Sequence, residues 1–406
     1  MADVPSYSED LFTDDAIMRP YGRYRELREL GPVVWLEAHR MYVLPRYAEA
    51  RAVLADPDVF CSGRGVGLND VVNTVGLGTT LMSDGDVHDV QRAVLARRLT
   101  PRGLRPLHET VQSAADALVE RLVRRGSFDA VRDLARALPL SIVPDLVGWP
   151  IHGRDHLLDW SAATFDILGP MNARAERAGP SIQAMLEFAA RTVADRDVLA
   201  GSAAADMLGA VDEGKLTESQ AASLIIDYLG PSLDTTISAI GSGVWLFGHH
   251  PDQWQLLRAK PELLSNAFNE IIRLESPVRG FTRLLTADTV IADHELPAEA
   301  RLLVLFASAN RDELRWHSAD QFDITRNANA QLGFGHGTHG CAGQGLARLE
   351  GHAVLRALME RVESFDLGAE TWAVNNIIHA LATLEVSVRP ASTSTNAAVT
   401  PAAERT

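Results

Sequence analysis

Apolar residues recur at the three-and-four spacing of amphipathic helices through most of the chain between Asp86 and about Leu274. Val111, Ala114, Ala115, Leu118 and Leu122 carry one such stripe. Leu224, Ile225, Leu229, Leu233, Ile237, Ile240 and Val244 carry another, in a helix expected to run from Thr217 to His249. Thr217 and Gln220 suit a capping box at its start, the hydroxyl meeting a free amide while the Gln side chain reaches back. At 1.5 Å per residue that helix would span roughly 50 Å. Pro231 stands in its middle; it has no amide to donate to the Asp227 carbonyl and its ring crowds that oxygen, so a kink is expected.

Elsewhere the period changes. Tyr21 to Leu30 reads as a helix, and Val33–Leu36 and Met41–Leu44 read as strands around a turn at His39-Arg40. Residues 262–275 form a helix that Pro261 starts and Pro277 ends. After it, 282–286, 289–291 and 301–306 look like short strands. The pattern predicts a mainly α chain with small β-sheets, built as one unit over 21–388. Residues 1–20 are expected to be loosely ordered and 389–406 to form a disordered tail.

Composition removes several function classes. Acidic residues number 53 against 38 basic ones, a formal charge of −15, which argues against nucleic-acid binding. A hydrophobic share of 46% is enough apolar surface to offset the entropy of ordering. Two cysteines, Cys61 and Cys341, cannot make a disulfide framework. The acidic N-terminus lacks the basic-then-apolar form of a secretory signal, and no apolar run reaches the ~18–20 residues of a membrane span. The expectation is a cytoplasmic protein with no membrane partner.

Two glycine-rich segments carry the chemistry. Ser62–Gly78 has five glycines and reads as a mobile loop over a site. The second runs from Gln331 to Gly345 and enters a helix expected from Gln344 to about Val362; within it Cys341 is surrounded by glycines. A cysteine at a helix entry can be a structural residue in a tight turn. It can be a zinc ligand beside His336 and His339, although the paired Cys-x-x-Cys spacing is missing. It can also be a haem thiolate.

Phe334, Gly337, Cys341 and Gly343 match the Phe-x-x-Gly-x-x-x-Cys-x-Gly signature of the cytochrome P-450 superfamily, which the chain resembles over about residues 20–390. Glu270-Ile271-Ile272-Arg273 is similar to that family's Glu-x-x-Arg pair, and Leu233-Asp234-Thr235-Thr236 to its oxygen-activating segment. The resemblance implies the cytochrome P-450 fold: a long central helix over haem b (iron protoporphyrin IX), in a helical domain with a small β region. It implies that Cys341 is the axial iron ligand, and that His88, Arg92, Arg283 and His339 meet the propionates. Asp234 would relay protons and Thr235 would hold dioxygen; Glu270, Arg273 and Arg326 would form a buried ion triad. Where the family usually has Ala-Gly before the acid, this chain has Pro231-Ser232, and Pro231 is expected to supply the opening in the helix.

Below the superfamily, Phe60-Cys61-Ser62-Gly63-Arg64-Gly65-Val66-Gly67-Leu68, Glu275-Ser276-Pro277-Val278 and Ser308-Ala309-Asn310-Arg311-Asp312 resemble the para-substituted benzoate oxidisers, the 4-methoxybenzoate O-demethylases. That branch implies a substrate pocket at Arg64, Phe165, Asp227, Gly230, Pro231, Val278 and Phe281, taking a compact aromatic. It places serines where Asp227 and Gly230 stand here, so an anionic substrate would need a cation such as Arg64 or Arg279. The implied activity is hydroxylation or O-demethylation with electrons from ferredoxin, ferredoxin reductase and NAD(P)H. Alternatives are oxidation of a larger natural-product scaffold, a peroxide-driven peroxygenase, or a non-catalytic haem sensor. Arg92, Arg97, Arg98, Arg102 and Arg105, with no acid between them, suggest a basic docking stripe for an acidic ferredoxin.

Overall fold

The computed structural model describes residues 3–392, and helices dominate it. Strands β1 (Ser6–Tyr7), β2 (Val34–Leu36), β3 (Met41–Leu44), β4 (Phe60–Cys61) and β5 (Ser127–Asp129) lie in the first third. Strands β6 (Phe281–Leu285), β7 (Thr289–Ile291), β8 (His294–Leu296), β9 (Arg301–Val304), β10 (Val362–Trp372) and β11 (Leu381–Pro390) follow the helical region. One sheet has the order β1-β2-β3-β9-β6-β4, so its members come from both ends of the sequence. A second has the order β10-β11-β5, and β7 pairs with β8 alone. Among the described residues no helix is long and apolar enough to cross a membrane.

Apolar faces collect into two cores. One packs around the six-stranded sheet and includes Val43, Leu44, Leu302 and Val304. The other unites the helices, with Leu224, Leu229, Leu233 and Ile237 among its members. The helix Tyr21–Leu30 and strand Met41–Leu44 fall where the periodicity put them, and the helix after the cysteine loop is Gln344–Arg361.

The N-terminus departs from expectation. Residues 6 and 7 pair in parallel with Trp35 and Leu36, and Thr13 caps a short helix, Asp14–Met18, by accepting from the Ala16 amide. Leu11, Phe12 and Ile17 are buried in the process. The segment is polar overall, but its few apolar residues all point one way, which is enough to dock it. At the other end, 389 and 390 belong to β11; the rest of the expected tail, from 393, lies outside the described residues.

The glycine-rich segment after β4 is also more structured than its composition suggests. It contains a helix, Asp70–Val75, capped by Asn69 through the Val72 amide. Asn69 Nδ2 donates to the Gly169 carbonyl at 2.7 Å, and Asn73 exchanges two hydrogen bonds with the Gly67 backbone. Two asparagines thus satisfy the backbone groups that a glycine-rich loop leaves open.

The expected long helix is two helices, Glu218–Leu229 and Asp234–His249, with the capping box at Thr217 and Gln220 in place. The break at 230–233 is deeper than a kink. Pro231 offers no amide to the Asp227 carbonyl, and two carbonyls within the break take side-chain donors. Ser161 Oγ donates to the Gly230 carbonyl at 2.5 Å and Thr235 Oγ1 to the Pro231 carbonyl at 2.7 Å.

Candidate active site

The cysteine loop is held by backbone geometry. The Leu332 amide donates to Asn310 Oδ1 at 2.7 Å, the Gly335 amide to the Leu332 carbonyl, and the Cys341 amide to the Phe334 carbonyl at 2.8 Å. Gly337 has φ +69°, and a Cβ there would stand 2.3 Å from the Leu54 carbonyl oxygen, so only glycine fits. The chain then enters the Gln344–Arg361 helix through Gly343. Burial pushes the Cys341 thiol upwards, opposed by the Gly343 and Gln344 amides and the charges of Arg92 and Arg348. Arg348 stacks over Phe334 with its guanidinium 4.6 Å from the ring centre.

Cys341 lines a cavity of about 250 Å³. Phe334, Gly343, Arg92, Arg283 and His339 share the wall. Arg92 donates to the Gly340 carbonyl, and Arg283 Nη1 to the Thr282 carbonyl at 2.8 Å. Burial lowers the basicity of both, Arg283 to about 10. His339 Nε2 lies 3.0 Å from Asp84 Oδ1, and its ring centre is 4.4 Å from that of His88. His88 does not reach the wall; it is buried behind His339, and its Nε2 meets no hydrogen-bond partner among the described residues.

This donor set fits haem. One thiol at a helix entry suits a single axial iron ligand, and two arginines with two imidazoles suit a dianionic edge, one imidazole nitrogen still lacking a partner. It does not fit zinc: among the described residues no three His, Cys, Asp or Glu side chains group as metal ligands, so His336 and His339 do not join Cys341 in such a site.

The break between the two central helices supplies another part of the wall. Thr235, Thr236, Pro231 and Ser232 line it, with Asp227 from the last turn before the break. Asp234 is not on the wall. It is half-buried beside Ser161, and desolvation pushes its carboxyl up to about 6 against the pull of that hydroxyl and of Arg136. Asp227 also rises to about 6 through burial, opposed by Thr80 and by the charge of Arg92. Its Oδ2 accepts from the Thr80 amide at 2.9 Å.

Phe165, Val278 and Phe281 line the cavity, whereas Arg64 and Gly230 do not. Arg64 lies on the surface in a two-bonded pair with Glu299, both contacts 2.5 Å. Gly230 is buried against Thr164, where an added Cβ would come 2.9 Å from a methyl. Arg279 is also withdrawn: it is buried and donates to the carbonyls of Asn375 and Asn376. No arginine suggested for a substrate carboxylate reaches the wall.

Glu270, Arg273 and Arg326 meet away from the cavity. Arg273 grips Glu270 through two bonds of 2.7 and 2.8 Å, and Arg326 Nε approaches Glu270 Oε1 at 3.0 Å. Arg273 also donates to the Asn310 and Ala319 carbonyls, which places the triad behind the residue that holds Leu332. The basic stripe is less free than its sequence suggests, because Asp206 accepts from Arg98 at 2.7 Å and lies 3.8 Å from Arg97. Arg102 and Arg105 remain exposed.

Sequence reasoning missed Asp84, Thr80 and Ser161. Asp84 Oδ2 takes the Ser62 and Gly63 amides while Oδ1 meets His339, so one carboxylate joins the glycine-rich segment to the cysteine loop. Its place directly before Gly85 and a helix was the available signal.

Comparison with known proteins gives a consistent answer. The family described as Cytochrome P450 matches residues 174–370. Cytochrome p450 CYP199A2 of Rhodopseudomonas palustris is 38% identical over 399 residues, 96% of each chain. The 6-deoxyerythronolide B hydroxylase of Saccharopolyspora erythraea is 30% identical over 91% of this chain and 94% of its own. Among solved structures, cytochrome P450 CREJ in complex with (4-ethylphenyl) dihydrogen phosphate superposes with a TM-score of 0.84 at 26% identity, covering 92% of this chain and 98% of that one.

Proposed function

The chain belongs to the cytochrome P450 family and is a haem-thiolate monooxygenase; from that premise we propose that it oxidises a compact, ring-bearing substrate with electrons from a separate ferredoxin, its reductase and NAD(P)H. When bound, haem supplies the redox centre at which dioxygen is reduced. Cys341 would hold its iron through the thiolate, and Arg92, Arg283, His339 and His88 would offset the propionates. The observation that carries the substrate reading is the part of the wall beyond these groups, where Phe165, Leu168, Val278, Phe281 and Phe306 form apolar sides. These side chains exclude water and favour a flat apolar body.

Thr235 lines the cavity from the start of the second central helix, its hydroxyl donating to the Pro231 carbonyl and free to accept. The adjacent Asp234, with its carboxyl near 6, can exchange a proton close to neutral pH. The pair therefore suits proton delivery from the helix break to the cavity. Arg102 and Arg105 suit an acidic donor protein, since their segment packs on the helix that follows Cys341: a Cβ on Gly345 would stand 3.0 Å from Leu104. We place the protein in the cytoplasm and read 21–388 as one haem-binding unit.

A second reading, oxidation of a larger scaffold, draws on the relationship to 6-deoxyerythronolide B hydroxylase. The test is turnover with ferredoxin, reductase and NAD(P)H, preceded by a Soret titration. Para-substituted arenes should give a low-to-high-spin shift; shifts only with large polycyclic or macrocyclic compounds would select the second reading.

A further inference from the structure

The cavity wall carries a carboxylate that neither haem binding nor proton delivery uses. Asp227 lies in the last turn of the helix Glu218–Leu229, eight residues before Thr235 and on the other side of the helix break. Its Oδ2 is fixed by the Thr80 amide at 2.9 Å, so the side chain is positioned before any ligand arrives. The aromatic Phe165 and Phe281 line the same cavity.

The cations nearby are committed elsewhere. Arg92, whose charge is felt at Asp227, donates to the Gly340 carbonyl beside Cys341. Arg283 is turned to the Thr282 carbonyl, Arg64 is paired with Glu299, and Arg279 is buried among the carbonyls of 375–377. Among the described residues no salt bridge joins Asp227 to a cation. A carboxylate held in an apolar cavity needs a charged or hydrogen-bonding partner, and a ligand can supply one.

We propose that Asp227 is a specificity-determining residue, and that the substrate is an aromatic carrying a protonated amine, seated with its ammonium on Asp227 and its ring between Phe165 and Phe281. The proposal rests on the reading of the cavity as the chamber for a ring-bearing substrate. It inverts the polarity expected from the benzoate-oxidising resemblance, because an aryl carboxylate would face Asp227 with no free arginine between them.

The test uses the haem-loaded full chain and three ligands of one shape: 4-methoxybenzylamine, 4-methoxybenzyl alcohol and 4-methoxybenzoate. Binding is followed by the low-to-high-spin Soret shift and by calorimetry, with the reduced carbon monoxide spectrum confirming thiolate ligation in each variant. The amine should bind at least about tenfold tighter than the benzoate. Asp227→Asn should weaken the amine about tenfold, strengthen the benzoate and leave the alcohol unchanged. Asp227→Ser provides a second variant should the amide misfold, with the same expected ranking. Equal amine affinity in wild type and variants, or benzoate as the tightest wild-type ligand, overturns the proposal while the chamber reading stands. A red-shifted spectrum from amine ligation of the iron also overturns it, since the nitrogen would then face away from Asp227. If the alcohol too gives neither shift nor heat, the chamber reading falls and the proposal with it.

Discussion

The cysteine loop and the break in the central helix both interrupt regular structure beside the cavity, yet they are built from opposite materials. The loop is fixed by backbone: glycine at positive φ, a carbonyl of Leu54 against Gly337, and amides folded back on Leu332 and Phe334. The break is fixed by side chains, with Ser161 and Thr235 donating to the Gly230 and Pro231 carbonyls. A backbone-built site tolerates almost no substitution, because the constraint is steric. A side-chain-built site can be rebuilt one residue at a time. The contrast explains why the cofactor side follows the family signature closely while the helix break carries Pro231-Ser232 and Asp227.

The comparison can be broken most directly at the loop. Cys341→Ser should abolish the thiolate carbon monoxide band and activity together; a retained band would show that another residue ligates the iron. Glu270→Gln should come next, because it leaves Arg273 and Arg326 without their buried counter-charge, at a cost of about 3–5 kcal/mol in denaturant unfolding. A loss below about 1 kcal/mol would mean that the triad does not support the loop. Thr235→Ala should lower coupled turnover about 100-fold, leaving substrate affinity and the folded state nearly intact. Measured peroxide release should rise as product falls; unchanged product yield would remove Thr235 from proton delivery.

A pH experiment is expected to be smaller still. Burial raises Asp234 from the ordinary carboxylate range to about 6, so the folded state binds a proton that the unfolded chain has released. Stability should therefore fall as pH rises from about 4 to about 6, then level off. Asp234→Asn should remove about 1–3 kcal/mol of that fall, read from urea unfolding at several pH values. An identical profile in the variant would mean that water reaches Asp234. The smallest effect belongs to Arg64→Ala, whose exposed pair with Glu299 is screened by solvent and whose loss should leave stability and ligand affinity unchanged.

What could be read in advance follows the same division. Cys341, Gly337 and Phe334 sit within a few residues of one another, so their spacing alone carries the geometry. The Glu270–Arg273 pair is one helical turn apart and equally legible. Pro231 announced an interruption, although the sequence could not show that Ser161 would stabilise a full break. Arg64 and Glu299 are 235 positions apart, and Asp84 and His339 are 255 apart. Sequence names the charged residues; only folding decides which of them meet. The same reason explains the basic stripe, where Asp206 takes up Arg98, and the N-terminus, where β1 finds an edge at Trp35.

Beyond its own backbone, the cysteine loop is braced by residues made long before it. Leu54 abuts Gly337, Asp84 meets His339 and Arg92 reaches Gly340. During synthesis these three partners emerge well ahead of Cys341 and have nothing to close upon. The cavity can become a site only when the last quarter of the chain arrives, so haem capture is a late event in biogenesis, and a stalled chain would carry the cradle's walls without its ligand.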